Sequence, residues 1–179
     1  MGVIKMYEEL KAQLNPNGSV KQEAYDLLRS LGPMPCVDVV LVPQENKPSV
    51  ILFLRGPNIV APNQYWVVGG RVNKGETLED AAQRKTKKES GLDLLITPED
   101  QLFTDQTIFT EPPYDNGLVG MIHTTNTVYL GRTPSFEEIE PSLKAADGNE
   151  RYGLFSYTDR RWHPYVIKCV ERAWERVFN

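Results

Sequence analysis

The chain has 179 residues, 40% of them hydrophobic and 25% charged, which bounds it to about one globular domain with a substantial core. Its net charge of -4 gives no electrostatic ground for binding nucleic acid, and no apolar run approaches the length of a membrane span. The two cysteines, Cys36 and Cys169, lack metal-type spacing and read as thiols of a reducing compartment; with a start that lacks the apolar core of a signal peptide, they give the expectation of a cytoplasmic protein.

Residues 1–34 alternate helical stripes with breakers. Tyr7, Leu10 and Leu14 share one face, Pro16-Asn17-Gly18 interrupts, and Val20, Ala24, Leu27, Leu28 and Leu31 form a second stripe before Gly32-Pro33. So short an extension does not bury its own apolar stripe: it is either a cap on the main domain, 35–179, or a dimer arm covered by a second subunit, and a homodimer is the expected assembly. Residues 37–42 and 49–54 are β-rich runs joined by a hairpin loop from Pro43 to Pro48. Asp38 interrupts the first run, where it shares a face with Val40 and Val42 and either points outward or reaches a ligand. Arg55 follows directly on the second run, placed to offer a two-pronged guanidinium contact to phosphate oxygens.

The stretch from Tyr65 to Leu92 organises the rest. An apolar strand, 65–68, ends at Gly69-Gly70, and Thr77 starts a helix with Asp80 as its capping-box partner. Leu78, Ala81 and Ala82 give that helix its apolar stripe, and Gly91 supplies the left-handed residue that stops it. Beyond it, 92–96 and 103–110 read as strands, and 111–117 as a loop of the kind that lids a site. Residues 121–130 read as a strand whose centre, Thr124-Thr125-Asn126-Thr127, either presents polar groups to a ligand or forms a wet face of the sheet. An acidic segment at 135–143, a loop at 145–152 and a strand at 154–157 lead to His163-Pro164. The last helix, 165–178, has Val166, Val170, Ala173, Trp174 and Val177 on its buried side. Strands interleaved with helices in this order predict an α+β domain, a mixed β-sheet sandwiched between helices in α/β/α layers.

Gly70, Glu76, Arg84, Glu89, Gly91 and Leu92 fall without a gap on the spacing of the Nudix box, and the chain resembles that superfamily. The full box places three glutamates at i, i+3 and i+4 on one helical face, where they bind hard divalent cations. Here those positions are Lys85, Lys88 and Glu89, so the formal charge of the face changes from -3 to +1, and a several-metal site is not expected. Beyond the box, Tyr65-Trp66, Arg71-Val72, Lys74, Thr77-Leu78-Glu79, Thr86, Pro35, Asp38, Leu54-Arg55, Thr124-Thr125 and the run from Val128 to Gly131 resemble GDP-mannose mannosyl hydrolase.

That resemblance implies the Nudix fold and a hydrolase of a nucleoside diphosphate sugar, in which water attacks the anomeric carbon and releases the nucleoside diphosphate and the sugar. It implies one Mg²⁺, with Mn²⁺ an alternative, on the Gly69 carbonyl, Glu89 and Asn149. Arg55 and Arg71 would face the diphosphate, Asp38 would reach the base or sugar, and Arg84 would hold a carboxylate in position while Glu76 braces the loop or anchors it. The family's histidine base is absent from Gly148-Asn149-Glu150, which leaves Glu150 as its replacement; His123 and His163 are weaker substitutes. Two other outcomes stay open: an ordinary Nudix diphosphatase that attacks phosphorus, and an inactive nucleotide-sugar-binding protein.

Overall fold

A computed structural model describes residues 32–57, 59–109 and 122–178, together with Ala12 and Lys21. The helical stripes expected in 1–34 and the lid expected at 111–117 lie outside the described residues.

Strand β1, Met34–Pro43, is the axis of the sheet. Its whole length pairs in parallel with β6, Ile122–Thr133, while its other edge is shared by two antiparallel neighbours. These are β4, Val68–Arg71, opposite Cys36 to Val39, and β2, Val50–Arg55, at Leu41 opposite Ile51. β3, Tyr65–Trp66, and β7, Asn149–Phe155, pair with β2, and β5, Gln101–Phe109, pairs with β6. Among the described residues the result is one mixed sheet of seven strands, with the path β3-β2-β1-β6-β5.

Both faces of β1 are covered, which a run of β-branched residues permits and an alternating strand does not. Val37, Val39 and Leu41 pack with Phe53, Val68 and Tyr129 against Ala81 and Ala82 of helix α1, Leu78–Ser90. Val40 and Val42 pack with Leu52, Trp66 and Leu130 against Val166, Cys169, Val170 and Ala173 of helix α3, Pro164–Phe178. These are the expected α/β/α layers. A short helix α2, Phe136–Ile139, follows β6, and Ile139 joins the α1 side of the core. Among the described residues no helix is long and apolar enough to cross a membrane. Cys36 and Cys169 are both buried free thiols.

Local signals fix α1. The Thr77 side chain accepts from Asp80 N, Glu79 and Asp80 lie in the positive first turn, and Lys87 and Lys88 lie in the last. Gly91 closes the helix at φ 84°, and its N–H donates to the Lys87 carbonyl.

Four expectations need correction. Asp38 does not face solvent: its face of β1 lies under α3, and the residue is only 6% exposed. Residues 92–96 bury Leu92 and Ile96 beside α1 but form no ladder, because an alternating burial pattern requires a wall to pack on and not a neighbouring strand. β7 begins at Asn149 instead of 154, held by backbone pairing with β2 that its polar side chains do not announce.

The glycine pair lies within β4 instead of ending the strand before it. A Cβ at Gly69 would stand 2.0 Å from Asp38 Oδ1 and 2.4 Å from the Val37 carbonyl. Backbone and a buried carboxylate cannot yield that space. Gly69→Ala is therefore expected to cost about 3 kcal/mol or more of folding stability, read from urea unfolding; a loss below about 1 kcal/mol would contradict this packing.

Candidate functional site

The C-terminal half of α1, the Gly69-Gly70 segment of β4 and the loop before β7 meet over the end of β1. Arg84 pins the loop that leads into α1. Its Nε donates to Glu76 Oε1 at 2.5 Å, and its Nη2 donates to Glu76 Oε2 and to the Arg71 carbonyl, each at 2.9 Å. Asn73 N donates to the same carboxylate at 2.8 Å. The hydrogen bond from Arg84 holds Glu76 below the usual carboxylate range. Arg84 and Glu76 thus shape the turn that presents Arg71.

At the next residue of α1 the Lys85 ammonium lies between two carboxylates. It is 2.5 Å from Glu89 Oε1 and 2.8 Å from Asp147 Oδ2, while Lys88 Nζ meets Asp147 Oδ1 at 2.7 Å. The other oxygen of Glu89 accepts from Gly69 N at 3.2 Å and from Asn149 Nδ2 at 3.4 Å. The Lys85 side chain is 11% exposed and that of Glu89 9%. Burial alone pulls the lysine pKa down, but Glu89 and Asp147 outweigh it and hold Lys85 above the ordinary value, so it is charged. The loop carrying Asp147 is docked on the helix end by Lys144 N to the Ser90 carbonyl at 3.0 Å and Ala146 N to the Glu89 carbonyl at 3.2 Å. Among the described residues no group of three or more His, Cys, Asp or Glu side chains is placed to hold a metal ion.

Beside this cluster opens a cleft of about 220 Å³, with Asp38, Arg55, Arg71, Lys85, Glu89 and Asp147 in its polar wall. Cavities that enclose an entire small ligand run to roughly 300–1,000 Å³, so the cleft among the described residues has room for only part of such a molecule. Arg55 stands 5.4 Å over the Trp66 ring, a cation–π contact that sets its guanidinium on the wall. Asp38 Oδ2 accepts from the Tyr165 hydroxyl at 2.5 Å. Burial pushes the Asp38 carboxyl up to about 6, against the lowering effects of Tyr165, Arg55 and Lys85, with Glu89 adding to the rise.

Of the residues the sequence singled out, Asp38, Arg55, Gly69, Arg71 and Glu89 are brought together in the cleft. Asn149 reaches its edge through Glu89, Arg84 works on the supporting loop, and Glu150 is exposed beside Gly56, outside the cleft lining. His123 stands apart on the outer sheet, its Nε2 3.3 Å from Gln106 Oε1. Sequence reasoning missed Asp147 and Tyr165. Both are brought in from distant segments, 62 positions from Lys85 and 127 from Asp38, and no local pattern pointed to them.

A family model described as the NUDIX domain matches residues 32–165. Among solved structures, a MutT NUDIX hydrolase from Burkholderia pseudomallei is 18% identical at a TM-score of 0.59, over 79% of this chain and 98% of that one. A MutT protein from Methanosarcina mazei is 15% identical at 0.62, over 83% and 99%. The NUDIX domain of Shewanella oneidensis NrtR, solved with ADP ribose, is 16% identical at 0.61, over 99% of each chain. At these identities the solved structures show a shared fold.

The Asp38 environment sets a pH dependence. Its folded pKa, about 6, lies above the ordinary 3.8, so the folded state favours the protonated carboxyl. The stability this contributes is fully present below about pH 4 and is lost as pH rises through about 6. Asp38→Asn, which keeps an acceptor for Tyr165, is expected to be more stable than the wild type at pH 8 by about 2–3 kcal/mol, at 1.36 kcal/mol per pKa unit. The gap should close near pH 4; urea unfolding at both pH values reads it, and an Asn variant less stable at pH 8 would contradict it.

Proposed function

The chain belongs to the NUDIX hydrolase family, and from that membership we propose that it hydrolyses a nucleoside diphosphate sugar of the GDP-mannose kind, releasing nucleoside diphosphate and free sugar. The observation that carries this reading is a cleft whose fixed cations, Arg55 and Arg71 with Lys85 behind them, gather over the Gly69-Gly70 segment while Glu89 and Asp147 are taken up in ion pairs. Such a wall stabilises a departing diphosphate, which is what attack at the anomeric carbon demands. Attack at phosphorus asks instead for carboxylates that assemble metal ions around the reacting phosphate, and two of the three box positions for them carry lysine.

Nudix hydrolases generally use divalent metal ions. The donor set here does not fit a resident one: one oxygen of Glu89 faces an ammonium and the other accepts two N–H groups, so a cation at that carboxylate meets donors instead of lone pairs. The single Mg²⁺ on Gly69, Glu89 and Asn149 that the resemblance implies would require Lys85 to withdraw, and no step of this reading passes through it.

In the proposed reaction Arg55 and Arg71 hold the diphosphate, and the sugar enters beside Asp38. Two carboxylates are candidates to take the proton of the attacking water. Glu150 stands exposed outside the cleft lining; Asp38 lines the cleft and, with its pKa raised to about 6, is ionised at neutral pH yet basic enough to act. The base role is assigned to Asp38, with Glu150 as the alternative. A protein that binds the nucleotide sugar without cleaving it is the second reading, favoured by the complete pairing of Lys85 and Lys88 with acids. The same proposal includes a main domain of 35–179, an extension at 1–34 that serves as a cap on it or as a dimer arm, a homodimer and a cytoplasmic setting.

Turnover of nucleotide sugars in ¹⁸O-water is expected to place the label in the sugar; label in phosphate would mean attack at phosphorus, and binding without label would leave the second reading. Asp38→Asn and Arg55→Ala should each lower kcat by about 100-fold or more, while Glu150→Ala keeps nearly full rate. A collapse in Glu150→Ala with Asp38→Asn active would return the base to Glu150.

A further inference from the structure

We propose that the Lys85 ammonium is a tethered cation built into the place where a divalent ion would otherwise be held, so that anion binding in this cleft is independent of metal. The inference deepens the reading above and rests on it only for the identity of the anion.

Four observations converge. Lys85 sits at a box position that carries a carboxylate in the full signature, and so at the helical face that meets the glycine segment. Its Nζ is held by carboxylates from two separate elements, Glu89 of α1 and Asp147 of the loop before β7, as a bound ion would be. Its stem lies against Gly70, where a Cβ would stand 2.6 Å from Lys85 Cε and 3.1 Å from Nζ, so the glycine leaves the space the side chain fills. The remaining oxygen of Glu89 is met by Gly69 N and Asn149 Nδ2, which completes the carboxylate with donors. Lys85, Lys88, Glu89 and Asp147 carry no net charge together, so the cluster offers a further cation no net attraction.

The test is binding of Mn²⁺ to the nucleotide-free full chain, read from the electron paramagnetic resonance signal of the free ion. Wild type and Glu89→Gln are expected to deplete that signal equally, showing no component that depends on Glu89. Lys85→Glu replaces the ammonium with a third carboxylate and is expected to gain one Mn²⁺ per chain, bound at least about tenfold more tightly than by the wild type. Where Lys85→Glu fails to fold by circular dichroism, Lys85→Met, which frees Glu89 and Asp147 from the ammonium, is read in the same way. The inference is overturned if the wild type binds one Mn²⁺ that Glu89→Gln abolishes, or if the folded Lys85 variant gains none. Absence of any nucleotide-sugar turnover with this Mn²⁺ pattern intact would sink the proposed reaction and leave the tethered cation standing.

Discussion

The ammonium of Lys85, held between Glu89 of the box helix and Asp147 of a distant loop, is the contact on which the geometry of this site depends. It does two jobs at once. It neutralises the carboxylate that the fold places under the glycine segment, and it fastens the segment from Lys144 to Asn149 to the end of α1, where backbone hydrogen bonds to Ser90 and Glu89 finish the docking. Removing one partner of such a largely buried pair typically costs about 3–5 kcal/mol, because the abandoned charge stays buried. The cluster therefore ties the loop before β7 to α1 at the edge of the cleft.

The second constraint is the close approach of β4 to β1. Asp38 sits opposite Gly69, roofed by Tyr165 from α3, and is ionised at neutral pH against the penalty of its burial. A carboxylate kept in this state weakens the fold at neutral pH, and the proposed base role is where stability and activity would compete. The surrounding sheet, packed on both faces by α1 and α3, is what tolerates that cost.

Much of the scaffold was legible because its signals are local. The Thr77 cap, the Gly91 stop and the box spacing lie within one stretch of chain and specify α1 and the loop before it almost without tertiary context, whereas the glycine pair was read as a strand end because only its pairing with β1 makes it part of β4. What escaped was set by distant partners. Tyr165 reaches Asp38 across 127 positions and Asp147 reaches Lys85 across 62, and no periodicity encodes such pairs. The outward reading of Asp38 failed because alternation tells which residues share a face but not whether a helix covers it. Asn149 and Glu150 read as loop because β7 is held there by backbone pairing with β2, to which side chains contribute no pattern. At the site itself, the box spacing led to Glu89 and Arg84, yet only the geometry separates the former, in the cleft, from the latter, on the brace beneath it.

The most direct trial of the account is a crystal structure of the full chain grown with GDP and Mn²⁺, with anomalous difference maps collected at the manganese edge. A diphosphate on Arg55 and Arg71, Lys85 Nζ between Glu89 and Asp147, and no manganese peak at Glu89 is the result expected. A manganese peak bonded to Glu89, with the Lys85 side chain swung away, would contradict it.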